Sequence, residues 1–557
     1  MSASSKGHPV NSLAEQLLLL FTSWLIIQFF WRKRTFKSLY NIPGPPSDSF
    51  WSGNTNQFFT RHGASFQSHV AFDYGPIVRL HGLFGRPMLY ISDPKALHNI
   101  LVKEEPIYQE SSLFIRLNYL VFGRGLLATL GEQHRKQRKM LNPVFSVNHM
   151  RRLTPIFYDI IHKASGILRA GMAAEVSKGA QELDALHWFG RAALELIGQG
   201  GLGYSFDPLT EQVPNAYGDA FKAIGPAIQG LNSHVRLLHE FAEMGPAWLR
   251  RAVMKVWPSK RMRDAVKIVD TMDMASKQVY ESKKLTIQAG DEALLQRIGQ
   301  GKDIMSVLMK DNMKASKEDR LPESEIIGQM TTLMFAATDT TSNTLCRILQ
   351  LLATYPDVQQ ELREELLTAG AADNLSYDEL NKLPFLDAVC RETLRLYPTI
   401  TLSTRMPIQD TILSVGEPVN GVDGRVMKEI TIPKGTEIVI GSLGCNANKE
   451  MWGEDALEFK PRRWIEGLPA AVTNAPIPGV YSNLMTFLGG KRACIGFKFS
   501  EMEMKVILSV MLTTFAFEPT DKPVAWNVSA VWYPTVGTES NIPEMPIKIR
   551  FLQEVSV

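Results

Sequence analysis

Apolar residues recur with helical spacing over most of the chain from Asp93 to Gln359, and this pattern predicts a mainly helical interior. The clearest predicted helix begins at Pro322, which is followed by the acidic residues Glu323 and Glu325 that favour a helix start. Apolar positions then continue through Leu352 with no interior proline. A helix this long and apolar is expected to run through the middle of the protein.

Other parts of the chain have different patterns. The polar run from Lys310 to Arg320 predicts an exposed loop, and helical spacing returns from Tyr355 to Leu396. Short β-branched runs bounded by turn residues predict strands at Ile77–His81, Met88–Ile91, Glu429–Ile432 and Glu437–Ile440, of which the first two form a hairpin. The sequence therefore predicts one mainly α domain with a small β portion.

A charge-free apolar stretch, Gln16 to Trp31, lies near the N-terminus and is followed by Arg32, Lys33 and Arg34. About 20 apolar residues cross a bilayer, so the stretch predicts a membrane anchor over residues 13–31. A cleaved signal peptide and a buried helix are the alternatives. The absence of a small-residue cleavage site and the trailing basic cluster favour an uncleaved anchor. The positive charge predicts residues 1–12 in the lumen and the rest in the cytosol.

Residues 32–47 combine this basic cluster with three prolines between Asn41 and Ser47, which predicts a stiff hinge ahead of a globular domain at 48–557. The composition, with 45% hydrophobic and 21% charged residues, excludes a disordered chain. A net charge of +3 gives no electrostatic basis for binding nucleic acid.

Four cysteines are scattered along the chain without metal-site spacing: Cys346, Cys390, Cys445 and Cys494. Their pattern argues against a disulfide framework. A lone cysteine is commonly a small buried hydrophobe. Cys494, however, lies among glycines, near Arg492 and just before a helical run that begins at Phe497. A cation and a helix N-terminus lower the pKa of a thiol, so these neighbours suit a thiolate bound to iron.

The segment around Cys494 resembles the haem-binding signature F-x-x-G-x-R-x-C-x-G of the cytochrome P-450 monooxygenases. The matching positions are Phe487, Gly490, Arg492, Cys494 and Gly496. The resemblance implies the cytochrome P-450 fold and haem b, that is iron protoporphyrin IX, with Cys494 as the axial ligand of the iron.

The predicted central helix carries three hydroxyls and one carboxylate between Phe335 and Thr341. Threonine hydroxyls commonly bond to the preceding helical turn, which is one interpretation of this run. The segment is also similar to the family's oxygen-activating motif. That resemblance implies that Asp339 and Thr340 relay protons during oxygen activation. Ala337 stands where the family usually has glycine.

Glu392 and Arg395 form an E-x-x-R pattern, which also occurs at Glu132–Arg135 and is weak by itself. The position of Glu392 and Arg395 ahead of Cys494 resembles that of the family's structural pair. By the same resemblance Arg463, in Pro461-Arg-Arg-Trp464, is the third member of a structural cluster.

The resemblance also implies ligands for the two haem propionates, which favour arginine and histidine donors. His134 and Arg138 stand four apart and resemble the family's W-x-x-x-R element with a histidine in place of tryptophan. Arg405 falls where family members place another propionate ligand. For the neighbouring Arg135, Lys136 and Lys139, a solvated basic face that docks an acidic partner is the alternative.

Electrons are expected from NADPH through a separate NADPH-cytochrome reductase, because the stretch after Cys494 is too short for a flavin domain. A cytochrome b-type protein is a second candidate donor. Resemblance to microsomal members implies a single-pass protein of the endoplasmic reticulum membrane with its catalytic domain in the cytosol.

Substrate contacts are expected from four mainly apolar windows, at residues 113–126, 330–337, 399–404 and 530–533, which suits a lipophilic small molecule. The turn-rich insert from Gly416 to Lys428 is similar to fungal members that make secondary metabolites such as terpenoids. A peroxide isomerase or dehydratase of the same fold and a non-catalytic haem-binding protein are the alternatives. Asp339 and Thr340 argue against both, since neither alternative needs a proton relay for dioxygen.

Overall fold

The computed structural model describes residues 15–20, 22–23, 34–173, 180–207, 209, 216–229, 231, 241, 244–289, 302–401 and 403–552. Most of the predicted anchor at 13–31 lies outside these residues and stays a prediction. Within the described ranges, no helix is both long and apolar enough to cross a membrane. In the predicted hinge, Leu39 and Ile42 are fully buried against the neighbouring β-sheet.

Helices make up most of the described chain, as the apolar spacing predicts. The helices that precede the central one are α1 (Thr55–Phe58), α2 (Ala64–Asp73), α3 (Pro94–His98), α4 (Ser112–Phe122), α5 (Gly131–Leu141), α6 (Val147–Ala173), α7 (Ala185–Leu196), α8 (Ala216–Gln229), α9 (Ala247–Val256), α10 (Lys260–Ala289) and α11 (Ile304–Lys314). The central helix and those that follow it are α12 (Glu323–Thr354), α13 (Pro356–Thr368), α14 (Tyr377–Leu380), α15 (Pro384–Leu396), α16 (Ser442–Asn446), α17 (Lys449–Trp452), α18 (Arg463–Glu466), α19 (Ala470–Thr473) and α20 (Phe497–Thr514).

The central helix α12 has 32 residues and most of them are buried, which confirms the predicted long interior helix. Pro322 caps its N-terminus from an extended conformation, and Glu323 and Glu325 occupy the first turn, where the helix dipole favours negative charge. The preceding loop is shorter than predicted. Lys310 to Lys314 belong to α11, because the buried Met305, Leu308 and Met309 give that segment an apolar face to pack. Only the residues after Lys314 form the predicted polar connection.

The β portion consists of short strands in five small sheets. The strands are β1 (Ile77–His81), β2 (Pro87–Ile91), β3 (Tyr108–Gln109), β4 (Gln181–Asp184), β5 (Ser403–Pro407), β6 (Thr411–Asn420), β7 (Val426–Ile432), β8 (Glu437–Ile440), β9 (Gly479–Tyr481), β10 (Leu484–Gly489), β11 (Phe515–Glu518), β12 (Val524–Asn527), β13 (Tyr533–Val536) and β14 (Pro546–Phe551). The largest sheet has the order β1-β2-β8-β5-β3, with β2 and β8 parallel.

The predicted hairpin at residues 77–91 is confirmed by the antiparallel pairing of β1 with β2. The two later strands are also present, but they belong to different sheets, since β7 pairs with β6 and β8 joins the largest sheet. The insert predicted as turn-rich from Gly416 to Lys428 is largely the irregular end of the β6–β7 hairpin. A mainly α fold with a small β portion is therefore confirmed.

A buried ion cluster surrounds the carboxylate of Glu392 on α15. Arg395 donates to both carboxylate oxygens, at 2.8 Å each, and Arg463 Nε donates to Oε1 at 2.9 Å. The backbone N–H of Lys460 and the indole N–H of Trp464 donate to the same carboxylate at 3.0 and 2.9 Å. Both charges of the Glu392–Arg395 pair are fully buried. The cluster fixes α15 to the chain around α18.

Replacing Glu392 with glutamine should strongly destabilise the protein, because it leaves two buried guanidinium groups without their shared counterion. Breaking one partner of a buried ion pair costs about 3–5 kcal/mol. The free energy of unfolding, measured by denaturant titration, should fall by that amount.

The matched control is Glu361→Gln, which removes a glutamate that pairs with Arg462 at 2.7 Å on the surface. Exposed pairs contribute up to about 1 kcal/mol, so this variant should unfold close to the unmodified protein. Equal losses in the two variants would show that burial does not set the strength of the Glu392 cluster.

Candidate functional site

Cys494 lies in the loop between β10 and α20. Its backbone N–H donates to the carbonyl of Phe487 at 2.9 Å, which closes the loop onto the end of the strand. Gly490 has a φ of +69°, and a Cβ there would overlap the carbonyl oxygen of Leu101. Only glycine meets both conditions without strain. The loop is thus held close to the segment around Leu101, ahead of the cysteine.

Two residues beside the loop differ from what their types suggest. Leu488, near the end of β10, has a φ of +54°, a left-handed conformation that is costly for any residue with a Cβ atom. Gly496 has an ordinary negative φ, and a Cβ there would make only a normal contact with the ring of Phe145. Protein contacts therefore require glycine at position 490 and do not require it at position 496.

The Cys494 thiol is accessible, whereas Cys346, Cys390 and Cys445 are buried. The protein around Cys494 nevertheless desolvates the thiol, and this desolvation raises its pKa. A hydrogen bond from the backbone of Gly496 and the charge of Arg138 oppose the rise without reversing it. The sequence-based expectation of a lowered pKa was wrong, because desolvation outweighs the nearby cation. An accessible thiol with such surroundings faces an open space inside the protein.

Three arginines and one histidine gather around this loop, as the resemblance implied. Arg138 Nη1 donates to the carbonyl of Ala493 at 2.7 Å, directly beside Cys494. His134 on α5 is buried, and burial together with the charges of Arg492 and Arg138 lowers its pKa to about 3. The imidazole is therefore neutral. On the outer side of α5, Arg135 and Lys139 are exposed, as a solvated face requires.

Arg405 and Arg492 meet at a shared carboxylate that the sequence did not single out. Glu110 accepts a hydrogen bond from Arg492 Nε and forms a 3.5 Å ion pair with Arg405. All three side chains are buried. Arg492 also donates to the carbonyl of Thr129 at 2.9 Å. Glu110 lies far from both arginines in the sequence and belongs to no recognised pattern, so only the fold reveals this contact.

The hydroxyl-rich part of α12 reaches the helix that follows Cys494. The hydroxyls of Thr341 and Ser500 are 3.1 Å apart, which joins α12 to the first turn of α20. Thr340 donates to the carbonyl of Ala336 at 2.7 Å, the bond to the preceding turn that threonines commonly make. Ala337, Asp339 and Thr340 are only partly buried although α12 is an interior helix. They therefore border open space beside this junction.

The Glu392 cluster is connected to the cysteine loop through Asn446. Arg395 Nη1 donates to the Asn446 carbonyl at 3.4 Å. The Asn446 side chain in turn accepts from the backbone of Met485 at 2.7 Å and donates to Thr486 at 2.9 Å. Both residues belong to β10, the strand that ends just before the loop. A continuous hydrogen-bonded path thus leads from the buried ion cluster to the Cys494 loop.

The four predicted substrate windows meet in pairs. The rings of Phe122 and Phe335 are 4.7 Å apart, which joins the windows at 113–126 and 330–337. The backbone N–H of Trp532 donates to the carbonyl of Thr399 at 3.1 Å, at the edge of the other two windows.

The donor set around Cys494 fits a haem. A thiol is a soft ligand for iron. The side chains around it offer cationic or N–H donors from His134, Arg138, Arg405 and Arg492. Among the described residues, Glu110 is the one carboxylate bonded to them. This excess of donors over acceptors suits the two propionates of a porphyrin. The accessible thiol gives the iron a free ligand at the same place.

Comparison with known proteins agrees with this geometry. The cytochrome P450 family profile matches residues 43–531. The chain is 57% identical over 519 residues to cytochrome P450 monooxygenase 81 of Postia placenta, which covers 93% of this chain and 94% of that relative. It is 54% identical over 535 residues to cytochrome P450 monooxygenase 212 of the same organism, covering 96% and 97%.

A third relative is a ganoderic acid synthetase from Ganoderma lucidum, 45% identical over 539 residues and covering 95% of this chain and 96% of that protein. These matches extend over nearly the whole length of each protein, and they confirm the resemblance first seen around Cys494. The chain belongs to the cytochrome P450 family, and like the monooxygenases of that family it is an oxidoreductase.

Proposed function

We propose that this protein is a haem-thiolate monooxygenase that inserts one atom of dioxygen into a lipophilic small molecule and releases the other as water. The observation that carries the proposal is the accessible Cys494 on a loop surrounded by three arginines, just before helix α20, whose first turn is bonded to the hydroxyl-rich segment of α12. When bound, the haem supplies the redox chemistry that splits dioxygen, which a thiolate ligand favours.

Each residue of the site then has a separate task. Cys494 holds the iron, and the side chains of His134, Arg138, Arg405 and Arg492 hold the propionates. Thr340 uses its proton to bond the Ala336 carbonyl, which leaves the lone pairs of Oγ1 free to accept a hydrogen bond and hold a proton donor in place. Asp339, the neighbouring acid, is the proposed source of protons.

The surrounding windows are proposed to bind the substrate and exclude water. The Phe122–Phe335 contact provides an apolar wall on the side of α4 and α12. A lipophilic substrate gains about 25 cal/mol per Å² of apolar surface that leaves water. The name of the 45% identical ganoderic acid synthetase supports a terpenoid or another secondary metabolite as substrate.

The setting of the enzyme is also proposed. NADPH supplies electrons through a separate NADPH-cytochrome reductase, with a cytochrome b-type protein as a second donor. The apolar stretch at 13–31 and the basic residues after it support a single-pass anchor in the endoplasmic reticulum membrane, with the catalytic domain in the cytosol.

Replacing Cys494 with histidine should keep an iron ligand while removing the thiolate. The reduced carbon monoxide complex of the unmodified protein should absorb at about 450 nm, and that of Cys494→His at about 420 nm, because thiolate donation changes the electronic state of the iron. Cys445→Ala, at a buried cysteine of α16 outside the loop, is the control and should keep the unmodified spectrum. A 420 nm band in well-folded unmodified protein would overturn Cys494 ligation.

Thr340→Ala should keep the haem but uncouple electron use from oxygen insertion. General acid–base groups contribute about 10²–10⁴-fold, so product formed per NADPH should fall by about tenfold or more, with peroxide released instead. The control is Thr338→Ala, which removes a buried hydroxyl that bonds the carbonyl of Met334 on the same helix. If both variants couple as well as the unmodified protein, Thr340 has no role in proton delivery.

Deleting residues 1–34 should shift the protein from the membrane pellet to the soluble fraction, because the proposed anchor is lost. Sedimentation of expressed full-length and truncated chains measures this shift directly. Equal amounts of both chains in the pellet would mean that another surface holds the protein on the membrane.

A further inference from the structure

Arg347 lies on α12, seven residues after Thr340, and it is a cation without a counterion. Its guanidinium carbon is 3.6 Å from the ring centre of Trp526 and 4.2 Å from that of Tyr397. Nη1 donates to Gln350 at 3.1 Å, while Nε has no hydrogen-bond partner. Among the described residues no carboxylate pairs with it, and burial lowers its pKa to about 9. Arg347 is therefore still charged at neutral pH.

The neighbours of Arg347 differ from those of other arginines in the interior. Arg363 also lacks a carboxylate, but it donates to the carbonyls of Leu512 and Phe515 and to the side chains of Gln359 and Gln360. Arg395 and Arg191 are also buried, and each forms two hydrogen bonds with a carboxylate. Two aromatic faces stabilise the Arg347 guanidinium through cation–π contacts. They supply neither a negative charge nor an acceptor for Nε. The charge is thus stabilised for a ligand rather than neutralised by the protein.

Arg347 lines a cavity of about 430 Å³ between α12, α2 and the β12–β13 hairpin. The volume is within the range of sites for small organic molecules. Most of the wall is apolar or aromatic, including Phe72, Leu443, Trp526 and Trp532. Asn343, one turn before Arg347, also lines it and has an Oδ1 without a hydrogen-bond partner. The cavity thus combines an apolar wall with one guanidinium cation and a buried amide.

We propose that this cavity binds a lipophilic carboxylic acid, with the carboxylate at the Arg347 guanidinium and the hydrocarbon portion against the aromatic wall. Arginine and carboxylate form short, charge-assisted hydrogen bonds, which are strong where water is excluded. Thr399, Thr401 and Trp532 also line the cavity and belong to two of the predicted substrate windows, so as a substrate site the cavity rests on the proposed function. Binding of the acid itself requires no turnover.

The test measures binding of dodecanoic acid and its methyl ester to the full-length, haem-loaded protein by equilibrium dialysis below micellar concentrations. A hydrogen bond to a charged group contributes roughly 1.5–3 kcal/mol, so the acid should bind about tenfold or more tightly than the ester. Arg347→Gln should remove this preference, and Arg347→Lys should keep part of it. Arg152→Gln, which removes an exposed arginine on α6, should change neither affinity.

Equal affinity for acid and ester in the unmodified protein, or an unchanged preference in Arg347→Gln, would overturn the proposal. Haem content and circular dichroism of each variant show whether the fold is intact, and Arg347→Lys tests the charge if Arg347→Gln does not fold. The haem absorption spectrum shows whether the bound acid is a substrate or a second ligand. A shift on binding identifies a substrate that reaches the haem, while binding without a shift identifies a second ligand, and either result supports the site. A negative result here would not affect the 450 nm test, which addresses the ligation of iron by Cys494 separately.

Discussion

The arrangement of the site depends on the full compensation of one buried carboxylate. Glu392 accepts five hydrogen bonds, and these bring together helix α15 and the segment around Arg463 and Trp464. Arg395 extends the network to Asn446, which holds the strand that leads to Cys494. A partly satisfied polar network is worse than an apolar core, so every member must be in place for any of them to be buried. The position of the cysteine loop is thereby tied to the stability of the whole domain.

The protein treats its buried charges in three different ways. Around Glu392, positive and negative groups compensate each other within the chain. Around Cys494, donors exceed acceptors, and Glu110 serves two arginines at once. At Arg347 the cation contacts two aromatic faces and one amide, and no carboxylate among the described residues pairs with it. The neutralisation of buried charge by other protein groups is complete in the Glu392 cluster and incomplete around Cys494 and Arg347, where a ligand has room. The fully neutralised charges hold the fold, and the others are available for binding.

Much of the fold and site could be predicted from local features of the sequence. The central helix, the first hairpin and the fixed spacing around Cys494 are all local, and the family resemblance supplied the order of the distant segments. The contacts that were missed are long-range. Glu110 meets arginines about three hundred residues or more away, and nothing in the local sequence indicates that meeting. The direction of the Cys494 pKa depends on how much protein surrounds the thiol, which neighbours in the sequence do not determine.

The left-handed backbone at Leu488 affects how this loop can change during evolution. Most positions lose stability when a leucine becomes glycine, but here glycine would relieve roughly 1–2 kcal/mol of steric strain. The relief would come with greater freedom in the unfolded chain and a looser connection between β10 and Cys494. The same change would remove the Leu488 side chain, which packs against the core of the neighbouring β-sheet. At position 488 the protein therefore accepts backbone strain in return for packing and for a rigid connection to the cysteine.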